Sequence, residues 1–162
     1  MKLEDIPAEV RWEIASKAFV NISMGYDMAF RQILGKEVVI KIEEAIWAEG
    51  GKDAKNIAAN LGLPAQNAAE VSAALGIVSM IFNGKWDYKT IEKTEERSVD
   101  HFTNCPILNA YKETETPVIS MPHVCQAYNT SGIEALNPKY TQRFTKRMCT
   151  GDDYCESIVE LK

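Results

Sequence analysis

The stretch that decides the fold is Tyr140–Lys162, YTQRFTKRMCTGDDYCESIVELK. Its first part alternates, with Tyr140, Gln142, Phe144, Lys146 and Met148 pointing one way. Its last part alternates too, with Cys155, Ser157, Val159 and Leu161 sharing a face. Between them, Thr150-Gly151-Asp152-Asp153 has turn chemistry: glycine reaches backbone angles that other residues resist, and aspartates suit loop positions. The stretch therefore predicts two antiparallel strands joined by a tight connection. It also sets two of the chain's four cysteines, Cys149 and Cys155, on either side of that turn.

Working backwards, the extended texture continues as far as Gly84. In KWDYKTIEKTEERSVDHF, Trp86 and Tyr88 alternate with polar residues, and Val99 and His101 do so later. One helix is expected within residues 118–136, stopped at Asn137-Pro138. Before Gly84 the pattern is helical. Pro7 suits a first turn, with Val10, Ile14, Ala18 and Ile22 following at helical spacing. A second helix is expected from about Lys36 to Ala48, with Val39, Ile42, Ile46 and Trp47 on or beside one stripe and EGG ending it. A short helix in DAKNIAANLG and a longer apolar one from about Ala65 to Phe82 complete this half. These readings predict an α+β protein: a helical half (about 1–84) packed on a small antiparallel sheet with a C-terminal hairpin (about 85–162), in one domain of 162 residues.

At 46% hydrophobic residues the chain can bury one substantial core. A net charge of −5 argues against a broad grip on nucleic acid or anionic lipid. DAKNIAANLGLPAQNAAEVSAAL has the outline of a helix-turn-helix. Its second helix, Ala65 to Leu75, contains Glu70 and no Lys or Arg, so it lacks the cations that phosphate contacts need. The N-terminal MKLEDIPAEV is unlike a signal peptide, and VSAALGIVSMIFNG is too short to span a bilayer. A cytoplasmic, non-membrane protein is expected, with a homo-oligomer left open. There thiols stay reduced, which favours a metal site or buried thiols over disulfides.

The four cysteines run C-x19-C-x23-C-x5-C over Cys105, Cys125, Cys149 and Cys155. This is no zinc-finger spacing, yet all four lie in the second half and each adjoins the end of an expected element. Four thiolates at tetrahedral corners would make a stable zinc shell; packing of four apolar thiols is the plain alternative. An iron–sulfur cluster on the same residues is chemically allowed. His123 stands two before Cys125 and His101 four before Cys105, so either could replace a cysteine ligand.

HFTNCP, HVC, ALNP and KRMCTGDDYCESIVE resemble the C-terminal half of the L-2-amino-thiazoline-4-carboxylic acid hydrolase-like family. GKEVVIKIEEAIWAEGGKDAKNIAANLGL is similar to that family in texture, so the resemblance spans most of the chain. More distantly, the chain resembles 4-vinyl-reductase-type domains, including the aromatic-sensing domains of phenol-responsive regulators. That second resemblance implies a small-molecule binder whose late cysteines hold zinc, with Cys125, Cys149 and Cys155 as three ligands. The fourth ligand there is acidic, and Cys105 is the candidate in its place.

Two functions follow. One is a small-molecule-binding domain with a structural zinc, its pocket between helices and sheet and lined by Met24, Met28, Phe30, Trp47, Met80 and Phe82. The other, implied by the first resemblance, is a hydrolase of non-peptide C–N bonds that opens a cyclic amidine-like ring with water. A metal could assist that chemistry only with an open coordination position. No catalytic residue is legible in the sequence.

Overall fold

The computed structural model describes residues 2–162. After a 3₁₀ turn at Leu3–Asp5, four helices follow: α1 (Ala8–Ile33), α2 (Lys36–Lys52), α3 (Ala54–Asn60) and α4 (Ala68–Asn83). Then come β1 (Asp87–Lys93), β2 (Arg97–Asn104), α5 (Pro106–Glu113), α6 (Met121–Leu136), β3 (Tyr140–Lys146), a 3₁₀ turn at Met148–Thr150, and β4 (Cys155–Leu161). The strands form one sheet in the order β1-β2-β4-β3, every neighbouring pair antiparallel. The expected α+β architecture and C-terminal hairpin are present. Gly151 has φ +106°, and the Arg147 backbone N–H donates to Asp152 Oδ2 at 2.7 Å, closing the turn.

Local chemistry explains several boundaries. Asn67 caps α4 by accepting from the Glu70 N–H (3.0 Å), while Glu70 Oε2 accepts from the Gln66 N–H (2.8 Å). Pro106 opens α5, and Cys105 Sγ caps it by accepting from the Leu108 N–H at 3.4 Å. The second half was expected to hold one helix and has two. The eight-residue α5 lies between the extended stretch and the one helix that was expected.

A core of Ala54, Ala58, Val71, Leu75, Val78, Ile133, Tyr140 and Val159 joins both halves across Gly84. The α1 stripe differs from expectation. Ile14 and Ile22 are 62% and 61% exposed and Val10 is exposed too, whereas the buried face carries Ser16, Val20, Met24 and Asp27. Two polar residues on the packed side disguise it. The α2 helix also runs through Gly50-Gly51 rather than stopping there, because Gly51 lies against α6. A Cβ on Gly51 would sit 2.1 Å from Ser131 Oγ and 2.5 Å from the Tyr128 carbonyl oxygen. Only glycine permits that approach.

Candidate functional site

Helices and sheet enclose a cavity of about 280 Å³. Phe19 and Met24 of α1, Trp47 of α2 and Met80 of α4 form part of its wall, and Asp100, Gln142 and Ser157 reach it from the sheet. Of the six residues expected to line a pocket, Met24, Trp47 and Met80 do so, and Met28, Phe30 and Phe82 are not on the wall. These polar groups of the sheet are satisfied within the sheet and by α4. Ser72 and Thr90 donate to Asp100 (2.7 and 2.6 Å), and Gln142 Nε2 donates to Ser157 Oγ (2.9 Å). The aromatic wall is ordered edge to face, Trp47 lying between Phe19 (6.3 Å) and Tyr128 (5.9 Å).

All four cysteines line this cavity. Cys105 sits at the α5 N-cap, Cys125 on α6, Cys149 in the 3₁₀ turn, and Cys155 at the start of β4. Cys105, Leu108 and Met121 form an apolar cluster into which Cys125, Cys149, Trp86 and Tyr111 pack. Cys155 Sγ accepts from the Met148 N–H at 3.3 Å. All four thiols are free.

Burial is the largest influence on each thiol. It pushes Cys105 up to about 12, with the Leu108 N–H opposing and Cys155 and Cys149 adding to the rise. Cys125 is raised well above its ordinary value, first by burial and then by Cys105, Cys149 and Cys155. Cys149 is raised by burial and by Cys155, and Cys155 by burial, with Arg147 opposing in both. The four therefore lie close enough to feel one another's charge. Among the described residues, however, no three His, Cys, Asp or Glu side chains form a group set to hold a metal ion. Each thiol is thus held in its protonated form by its surroundings on the one cavity wall.

The histidines lie elsewhere in the chain's interactions. His101 Nε2 is 2.7 Å from Glu156 Oε2 and its ring packs on Tyr154, while His123 Nδ1 is 3.1 Å from Glu44 Oε1. Neither is among the main influences on the four thiols.

A second polar group escaped sequence reasoning. Asp27 of α1, 1% exposed, accepts from Arg31 Nε (2.5 Å) and from the Tyr111 hydroxyl (3.1 Å). Arg31 Nη2 also donates to Ser120 Oγ (2.9 Å). Beside them lies Glu43 of α2, 7% exposed and on the cavity wall. Burial raises its carboxyl to about 7; Asp27 adds to the rise, while Ser120 and Arg31 oppose it. The sequence signal was a charge within a helical stripe, Val39-Glu43-Trp47.

Among the described residues, three buried side-chain polar atoms have no hydrogen-bond partner: Glu43 Oε2, Asn83 Oδ1 and Trp86 Nε1. All three belong to residues of this one cavity wall.

Two solved structures share the fold. One is a trafficking protein particle complex subunit 3 from Naegleria fowleri covalently bound to palmitic acid: 13% identity, TM-score 0.64, covering 93% of this chain and 96% of that one. The other is the phenol-responsive sensory domain of the transcription activator PoxR with phenol: 11% identity, TM-score 0.60, covering 90% of this chain and 74% of that one. At these identities the likeness is one of fold. No curated protein matches the chain by sequence. The family model of L-2-amino-thiazoline-4-carboxylic acid hydrolase matches residues 13–159, nearly the whole chain including all four cysteines and Glu43, and the protein belongs to that family.

Proposed function

We propose that the protein binds a small, largely apolar molecule in its interior cavity, with a structural zinc on Cys105, Cys125, Cys149 and Cys155 closing the cysteine-lined part of the wall. The observation that carries this reading is the cavity itself: about 280 Å³ with an aromatic and methionine wall and three unpartnered polar atoms. Such a lining is the usual composition of small-molecule sites. The two structures of like fold were solved with palmitic acid and with phenol, which accords with a fold that accommodates apolar ligands. For the metal, the support is four thiols gathered from four elements, each raised by burial; a divalent cation would offset the charge of their thiolates. Zinc held by four cysteines has a closed shell and would cross-link α5, α6 and the β3–β4 connection.

The test uses phenol as the probe. Trp47 and Trp86 line the cavity, so phenol should change the intrinsic fluorescence saturably. Gly76 also lines it, and a Cβ there meets nothing within 4 Å. The Cβ of Gly76→Leu is therefore admitted, and the longer side chain should take up cavity space and weaken phenol binding about tenfold or more, the worth of an excluded apolar contact. Unchanged affinity in Gly76→Leu would place the probe elsewhere and contradict the reading.

Family membership favours a second reading, a hydrolase opening a cyclic amidine-like ring. It requires a group other than a closed four-cysteine zinc to activate water. Activity that depends on added metal, and that a ligand substitution abolishes without unfolding, would favour it.

Nucleic acid is not a proposed partner. The helix-turn-helix outline corresponds to α3 and α4, and α4 buries Ala68, Ala69, Val71, Ala74, Leu75 and Val78. No duplex DNA binding is expected at physiological salt, and salt-sensitive binding at micromolar affinity or tighter would contradict this.

A further inference from the structure

The ion pair beside the cavity is already complete. Arg31 is matched by Asp27 and spends a second donor on Ser120, and the remaining Asp27 oxygen takes the Tyr111 hydroxyl. Glu43 is the extra acid. Its carboxyl is within hydrogen-bonding reach of Ser120 and Asp27, and when ionised it is a second negative charge near Asp27, on a residue of the cavity wall, with Oε2 unpartnered and no cation matched to it alone. Burying such a charge is costly unless something pairs with it. The same wall carries Phe19, Trp47 and Tyr128, whose ring faces attract cations. Asn83 Oδ1 adds an unpartnered acceptor, and the Trp86 indole an unpartnered donor.

We propose that Glu43 is the anchor for a protonated nitrogen, an amidinium or ammonium group carried by a compact and mostly apolar ligand. The ring faces enclose the cation. This rests on the cavity being a ligand site and names the chemistry that the site selects. Without ligand, burial and the neighbouring Asp27 favour the protonated carboxyl of Glu43. A cation binds the ionised form, so its arrival releases that proton.

The sign of the pH dependence follows. Raising the pH ionises Glu43, so affinity for a cation rises. With the carboxyl at about 7, it is mostly protonated at pH 6 and mostly ionised at pH 8, an affinity gain of about tenfold. The groups facing Glu43 are Asp27 and Arg31 of α1, paired with each other, Tyr111 of α5, whose hydroxyl burial holds protonated, and the Ser120 hydroxyl. Lys93, Asp100, Arg147 and the cysteines lie elsewhere on the wall.

The experiment compares calorimetric binding of benzamidine, cationic throughout this range, with benzamide, its neutral counterpart of like shape, at pH 6 and pH 8. Wild type should bind benzamidine more tightly than benzamide at pH 8. It should gain about tenfold for benzamidine between the two pH values, with benzamide unchanged. Glu43→Gln, which keeps the shape and loses the charge, should lose at least tenfold in benzamidine affinity at pH 8, keep its benzamide affinity, and show no pH dependence. Retained benzamide binding also reports that the variant is folded; should that variant fail to fold, the wild-type pH profile decides alone. Benzamide binding as tightly as benzamidine overturns the anchor while leaving the cavity a ligand site. So does a pH dependence that survives in Glu43→Gln, which would belong to another group on the wall. Binding of neither probe overturns both.

Discussion

Gly51→Ala is expected to cost about 3 kcal/mol or more of stability, lowering the melting temperature by roughly 6–12 °C for a chain of this size. The added Cβ would lie 2.1 Å from Ser131 Oγ and 2.5 Å from the Tyr128 carbonyl oxygen. The hydroxyl can rotate away, but a backbone carbonyl in the middle of α6 can move only if the helix moves. Displacing α6 displaces Cys125, Tyr128 and Ile133 together, and with them the cavity wall and the core. Gly132 makes a useful comparison. Its Cβ would meet Leu75 Cδ1 at 2.7 Å, the end of a flexible side chain, so Gly132→Ala should cost less, about 1–2 kcal/mol. Gly25 lies mid-helix with nothing within 4 Å, and Gly25→Ala should stabilise by about 0.5–1 kcal/mol. Denaturant midpoints of the three variants read the series. An unchanged midpoint in Gly51→Ala would contradict the close α2–α6 crossing.

Cys155→Ser should lower zinc content and thermal stability together. The wild-type chain is expected to carry about one zinc by elemental analysis. Loss of one of four thiolates that weakens zinc about a thousandfold removes about 4 kcal/mol by linkage, or roughly 10 °C. The cost should fall on the second half, because the proposed ligands come from the β2–α5 junction, α6 and the β3–β4 connection. Were the cysteines only packing, serine would cost about 1–3 kcal/mol for a hydroxyl at this half-buried position, and a strong chelator would leave wild type unaffected. The chelator therefore separates the two accounts: it should bring wild type down to the variant's melting temperature. Wild type purified without metal, or a variant that keeps its full zinc content, would contradict the site.

Much of the fold was legible because periodicity reports burial wherever the buried face is apolar. The hairpin from Tyr140 to Leu161 could be read because side chains alternate cleanly about a turn that needs glycine. The four cysteines, expected at element ends, all lie on the wall of one cavity. What could not be read were faces that bury polar groups. On α1 the apolar residues Val10, Ile14 and Ile22 face outward, while Ser16 and Asp27 face in. On α2 a glutamate occupies a core position and a glycine pair continues the helix. In both cases the partner lies far along the chain: Tyr111 and Ser120 for Asp27 and Arg31, and Ser131 and Tyr128 for Gly51. A single-helix pattern holds no record of such partners. The unpartnered atoms of Glu43, Asn83 and Trp86 are likewise visible only once the three elements stand around one space.

The methionines test the ligand cavity most directly. Met24, Met80, Met121 and Met148 line it, from α1, α4, α6 and the 3₁₀ turn, and Met28 does not. With the methionine methyl groups labelled with carbon-13, addition of phenol should shift the resonances of those four saturably and leave Met28 in place. A titration that moves Met28 while the cavity four stay still, or that moves none of the five, would contradict an interior ligand site.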